Sequence, residues 1–185
     1  MRHFLANIFS TLYSLIKFPL MKLFFFRRFH FYPIQRFSPN VIVSIGKKST
    51  LRLGKTVRAH SGCRFASVAG GDLRIDANCR FNYNCAVVCR HSIHIQKGVE
   101  FGPNVLVYDH DHDFRAKGGL KAGKFKNAPV VIGENTWIGA NVVILRGTTI
   151  GKNCVIGAGC VIRGDIPDNT LVVQKKETEY ISLSE

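Results

Sequence analysis

Five consecutive residues, Asp109-His110-Asp111-His112-Asp113, hold the densest chemistry in the chain. A carboxylate next to an imidazole orients the ring and raises its basicity, which suits a general base working near neutral pH. The same string fits two further roles. It could hold a metal ion, although alternating His and Asp in an extended segment send their side chains to opposite sides. It could also be a solvated acidic turn with no chemistry. The remaining histidines, His3, His30, His60, His91 and His94, stand in less distinctive settings and read as surface or packing residues.

These residues open a segment, 109–129, that has almost no apolar spacing and carries Gly118, Gly119, Gly123 and Lys117, Lys121, Lys124 and Lys126. Long excursions from a rigid scaffold tend to carry function. The scaffold is legible on the far side. From residue 130 the chain reads in sixes as VVIGEN, TWIGAN, VVILRG, TTIGKN, CVIGAG and CVIRGD, with Ile132, Ile138, Ile144, Ile150, Ile156 and Ile162 in third place. Gly133, Gly139, Gly151 and Gly157 follow four of them. A helical period would scatter these Ile residues over all faces. A chain of short strands and corners stacks them inside a prism. Glycine is expected at the corners because it reaches backbone angles that a Cβ forbids. The expected fold class is therefore all-β, a β-helix of hexapeptide repeats.

Before the excursion the period is looser. Ile75, Phe81 and Val87 are six apart, as are Ile95, Phe101 and Val107, with two extra residues entering near Cys89 to Ser92. Five segments follow: a basic amphipathic N-terminal stretch (1–40), coils (41–108), the excursion (109–129), hexapeptide coils (130–169) and a C-terminal tail (170–185).

The chain of 185 residues is 46% apolar, enough to fill one core, and its formal charge of +14 asks for an anionic partner. Nucleic acid, membrane lipid and a phosphate-bearing small molecule all qualify. Four of the six cysteines, Cys79, Cys85, Cys154 and Cys160, fall four places after an inward position, and Cys63 does so if the register extends back. They read as reduced packing residues, which suits a cytosolic protein. Cys89, in the irregular insertion, is the exception with reactive potential.

Residues 1–40 contain no acid. Leu5, Ile8, Phe9, Leu12, Leu15 and Ile16 share one helical face, and Pro19 is expected to end the pattern. The longest uncharged piece, His3 to Ile16, has 14 residues, short of the roughly 18 to 20 needed to span a bilayer. No small-residue cleavage site follows it. Two roles compete: an interfacial segment (residues 1–36) on anionic lipid, or a cap over the end of the β-helix.

Three motifs resemble the hexapeptide-repeat O-acetyltransferases that use acetyl-CoA. The likeness is greater to those that modify lipopolysaccharide and capsule sugars, and extends to galactoside and maltose acetyltransferases. Phe81-Asn82-Tyr83-Asn84-Cys85 is similar to that family's acceptor-pocket segment. Gly102-Pro103-Asn104-Val105 precedes His112 at the family's spacing. Pro129 to Leu145 is near its consensus beside the cofactor. The resemblance implies a left-handed β-helix, a homotrimer with sites between subunits, and acetyl transfer to a saccharide hydroxyl. Because the cysteines mostly point inward by register, direct transfer is expected over a covalent acyl-Cys route. His112 would be the base, with His110 the second candidate. Asn84, Asn82, Tyr83 and Asp109 would meet the acceptor. Trp137, Gly139, Ala140, Gly157 and Ala158 would line the pantetheine arm. Trp137 has a plainer alternative, a large cap over a coil edge.

Where the family has Thr-Lys-Asp and a Gly-Asn-Pro-Ala-Lys type segment, this chain has Arg163-Gly164-Asp165 and Val173-Gln174-Lys175-Lys176. Arg163, Lys175 and Lys176 are the remaining cations for the CoA phosphates. The γ-carbonic anhydrase type of zinc β-helix requires a His-Gly-Cys string, and the nearest here is His60-Ser61-Gly62-Cys63. No metal site is expected, and nucleic acid is the weakest partner. The protein is expected in the cytoplasm, peripheral to the inner face of the cytoplasmic membrane. A non-catalytic scaffold docked on membranes is the alternative to an enzyme.

Overall fold

Short strands and sharp corners wind into a left-handed parallel β-helix, a triangular column with three flat faces. The computed structural model describes residues 2–175 and 177–181. Each coil crosses a first, a second and a third face in chain order. The first coil uses strands Phe29–Phe31, Arg36–Phe37 and Ile42–Ile45. The column thus begins at residue 29, ahead of the boundary at 41 that the period suggested. Its first coil fills inward places with Phe29, Gln35, Phe37 and Val41, and its one buried Ile, Ile45, stands outside the six-residue register. Gln35 tolerates burial because its side-chain amide bonds the backbone of Tyr32, Gly54 and Val57.

The second face is a seven-stranded parallel sheet. Strands Val143–Ile150 and Val161–Ile166 turn the corner between the other two faces and join them into one eleven-stranded sheet. Isoleucines stack from coil to coil in register, Ile132 on Ile150, Ile138 on Ile156 and Ile144 on Ile162. All are buried, each stabilising the column by about 1.5–3 kcal/mol. All six cysteines are free and buried, Cys89 included.

The looser early period has a structural cause. Leu51 and Leu73 are partners 22 residues apart, whereas Ile132 and Ile150 are 18 apart. The early coils carry four-residue strands on the third face, which adds a third inward place. Ile45, Ser67 and Cys89 occupy it in successive coils. In the fourth coil the strand Leu106–Tyr108 continues that line, and the same place falls to Asp109.

Glycine has a different reason to follow the isoleucines than the one expected. None of Gly133, Gly139, Gly151 and Gly157 is left-handed. Asn135, Asn141, Asn153 and Gly159 take the left-handed corners instead, at φ 55°, 57°, 55° and 72°. The constraint on Gly133 is contact: a Cβ there would sit 2.3 Å from the Gly151 carbonyl carbon in the next coil.

The N-terminal helix, Arg2–Phe25, closes the open end of the column. It buries Ser14 and Phe18. The Phe18 ring packs edge-on against Phe29, Phe31 and Phe37 at 5.5, 5.6 and 4.9 Å. Ser14 Oγ accepts the Phe37 N–H at 3.0 Å, and Lys17 and Lys22 donate to the carbonyls of Val41 and Phe29. These bonds satisfy the backbone of an otherwise bare first coil. Pro19 lies inside the helix and does not end it. Its missing N–H costs one helical bond, which docking of Phe18 outweighs. The stretch Asn7–Arg28, helical to Phe25 and then a 3-10 turn, is by length and composition apolar enough to cross a membrane, with a mean hydropathy of 1.3.

Candidate active site

The excursion is built around an antiparallel hairpin, His110–His112 paired with Phe125–Asn127. It leaves the column at the edge where the third face turns into the first. Three cationic contacts hold it. Arg146 Nε donates to Asp111 at 2.6 Å, the Arg90 guanidinium lies 3.6 Å over the Phe125 ring, and Lys126 pairs with Asp113 at 3.3 Å. A bond from the Ala128 N–H to the Asp109 carbonyl closes the neck.

Asp109 is fully buried in its core place. Its carboxylate accepts the Arg90 N–H at 2.8 and 3.1 Å and the His91 N–H at 2.7 Å. The same group meets His110 Nδ1 at 2.9 Å. A carboxylate used wholly as an acceptor selects the tautomer of the neutral ring: Nδ1 carries the proton and Nε2 the lone pair. The His110 side chain is 13% exposed, and its ring stands edge-on to Tyr108 and Phe125. Asp109 is therefore no acceptor-binding residue. Every one of its contacts is internal, and it positions an imidazole.

His112 is set differently. Its ring is exposed and tilted against Phe125 at 4.4 Å, with no carboxylate partner among the described residues. Of the two candidate bases, His110 is the oriented one. Cys89 does not offer a covalent route, because burial, and then the neighbouring Asp109 carboxylate, push its thiol well above the ordinary range.

The other candidate residues gather on a different edge, between the second and third faces. The turns Asn82-Tyr83-Asn84, Gly102-Pro103-Asn104, Gly139-Ala140-Asn141 and Gly157-Ala158-Gly159 stack there. Backbone bonds join them: Asn104 to Tyr83, Asn141 to Pro103 and Gly159 to Ala140. Asn84 is a left-handed corner residue whose amide reaches Asn104, so it has a packing role whatever else it does. Asn82 is half-buried and turned back onto the Tyr83 N–H, while Tyr83 is exposed and stacked on His60. Trp137 stands outward on the second face, 56% exposed.

Lys175 joins this edge, because Gln174 clamps the tail to Val161 through two hydrogen bonds. Arg163 follows Ile162 at the histidine edge instead. Lys176 lies outside the described residues. Within one protomer the imidazoles, with Asp109 and Arg163, thus lie at one edge of the third face and the stacked corner candidates at the other.

Residues 129–164 match the family model described as bacterial transferase hexapeptide (six repeats). Over those residues the column is built of hexapeptide repeats. The chain is 38% identical over 111 residues to a galactoside O-acetyltransferase of Lactococcus lactis, covering 58% of this chain and 51% of that protein. It is 27% identical over 136 residues to the putative lipopolysaccharide biosynthesis O-acetyl transferase WbbJ of Escherichia coli, covering 69% of each. Among solved structures it resembles AntD, an N-acyltransferase from Bacillus cereus in complex with dTDP and 3-hydroxybutyryl-CoA. That match has a TM-score of 0.66 at 17% identity, covering 81% of this chain and 79% of AntD, and it supports the fold. The chain spans about half the length of the first curated relatives it matches.

The sequence pattern did not single out Arg90, Phe125 or Arg146. They matter only once the hairpin is folded. The place of Asp109 was readable in principle, since Val105, Val107 and Asp109 continue the two-residue alternation of inward positions.

Proposed function

We propose that the protein is an acetyl-CoA-dependent O-acetyltransferase acting on a hydroxyl of a cell-envelope saccharide. The observation that carries this is the Asp109–His110 pair, an imidazole oriented by a buried carboxylate. His110 Nε2 takes the proton of the acceptor hydroxyl as the oxygen attacks the thioester carbonyl. The positive charge formed on the ring is balanced by Asp109 beneath it. The same Nε2 returns its proton to the departing sulfur, so neither a covalent enzyme intermediate nor a free acid is needed. A backbone N–H of the rigid corners would serve the oxyanion.

The corners fit the donor. Gly139-Ala140 and Gly157-Ala158 present backbone with almost no side chain, which suits a slim pantetheine arm. The exposed Trp137 indole offers a flat surface beside them, and Lys175 a cation for phosphate. The separation of imidazoles from these corners favours a homotrimer, in which one protomer's histidine edge faces its neighbour's corner edge. The helix supports a membrane role alongside its capping role. Phe9, Leu12, Ile16, Leu20, Leu23 and Phe24 are exposed on the side away from the column, with Lys and Arg but no acid nearby. Docking of Ser14 and Phe18 leaves one side for lipid, which favours an in-plane helix at the inner face of the cytoplasmic membrane over a spanning one.

The test is transfer itself. Purified protein, acetyl-CoA and a panel of envelope saccharides should give a product heavier by one acetyl group. No product from any saccharide, together with no acetyl-CoA binding by calorimetry, would instead favour a membrane-docked scaffold.

A further inference from the structure

The second face carries a column of guanidiniums. Arg36, Arg58 and Arg80 hold register-matched outward positions on three successive strands. Neighbouring strands lie about 4.8 Å apart, so like charges stacked this way cost stability unless an anion joins them. Arg80 has its own, Glu100 at 3.1 Å. Arg36 and Arg58 have no acidic partner among the described residues.

Three cavities adjoin at this column. One of about 410 Å3 runs past Arg36, Arg58 and Arg80 with Lys97 beside them. A second, about 120 Å3, lies between Arg36, Arg58, His60 and Tyr83. A third, about 280 Å3, lies between Arg36 and the helix residues Ile8, Thr11 and Leu12. Arg36 lines all three. One path therefore leads from the apolar side of the helix, over two uncompensated guanidiniums, to Tyr83 and the neighbouring Asn84.

We infer that this path receives a lipid-linked saccharide diphosphate. The apolar chain lies along Ile8 and Leu12, the two phosphates sit on Arg36 and Arg58, and the sugar reaches the Tyr83–Asn84 corner. Each guanidinium fork matches one phosphate in two-point hydrogen bonding, which an ammonium cannot copy. This rests on the sugar-acetylation proposal and names the carrier of its substrate. The coenzyme candidates lie further along the column, from Trp137 onward, so the ladder is spare cationic capacity at the helix end.

Binding can be read without any transfer assay, which keeps this inference separable from the activity. Phosphatidylcholine vesicles doped with a long-chain prenyl diphosphate are compared with vesicles carrying phosphatidylglycerol at equal charge. The unaltered protein should prefer the diphosphate vesicles. The charge-conserving Arg36→Lys/Arg58→Lys variant should lose that preference by about tenfold or more, while its phosphatidylglycerol binding stays within about threefold. Thermal unfolding confirms that the variant is folded. Retention of the preference by the Lys variant, or its absence in the unaltered protein, would overturn the inference. So would inorganic pyrophosphate binding as tightly as the lipid, or free CoA displacing the lipid.

Discussion

Replacing Asp109 with Asn changes one atom in a fully used acceptor set. The carboxylate now accepts two backbone N–H groups, from Arg90 and His91, and the Nδ1–H of His110 at 2.9 Å. An amide keeps one oxygen, which stays on the backbone donors. Its NH2 then faces Nδ1, which must accept, and the ring proton moves to Nε2. A base becomes a donor at the position where the hydroxyl must lose its proton. The rate should fall about 10²–10⁴-fold, the usual worth of a general base. Losing a charged acceptor should also cost about 1.5–3 kcal/mol of stability, or roughly 3–10 °C in Tm for a chain of this size. Thiol release from acetyl-CoA with an accepted saccharide measures the rate, and calorimetry the melting. A variant that melts earlier yet keeps its rate within about threefold would make Asp109 a structural anchor only.

Phe18→Ala should cost about 3–5 kcal/mol, seen as a lower Tm and earlier loss of helical signal, because it empties the contact that seats the helix on the column. Gly133→Ala should destabilise by about 3 kcal/mol or more, since its Cβ meets the Gly151 backbone at 2.3 Å. Asn135→Gly, at a left-handed corner, should stay within about 1 kcal/mol in the same denaturant titration. Burial pushes the Cys79 thiol up to about 12, so the reactive thiolate is scarce at pH 8. Native protein at that pH should resist iodoacetamide at Cys79 and Cys89, while unfolded protein should be alkylated at both, as read by mass spectrometry.

Much of the fold was written in the hexads, because little besides a stacked coil calls for Ile at every sixth place. The glycines were placed correctly for a reason that local backbone preference could not supply. Contact between coils, invisible in one coil's sequence, is what excludes a Cβ at Gly133. The start of the first coil escaped notice because Phe29, Gln35 and Phe37 fill its core without the Ile marker. Pro19 misled because propensity is local, whereas the Phe18 contact that holds the helix through it is tertiary. At the site, both imidazoles were legible and their order was not. The family resemblance favoured His112, and the hairpin leaves its ring exposed. Asp109 in a core place makes His110 the oriented imidazole, and the proposed base.

The central claim is that His110, held by a buried carboxylate, removes the acceptor's proton. Acetyl transfer by His110→Asn and His112→Asn, measured side by side on folded protein, tests it most directly. His110→Asn should lose about 10²–10⁴-fold in kcat, and His112→Asn less than about tenfold. The reverse order, with His112→Asn the crippled variant and His110→Asn still turning over, would contradict it.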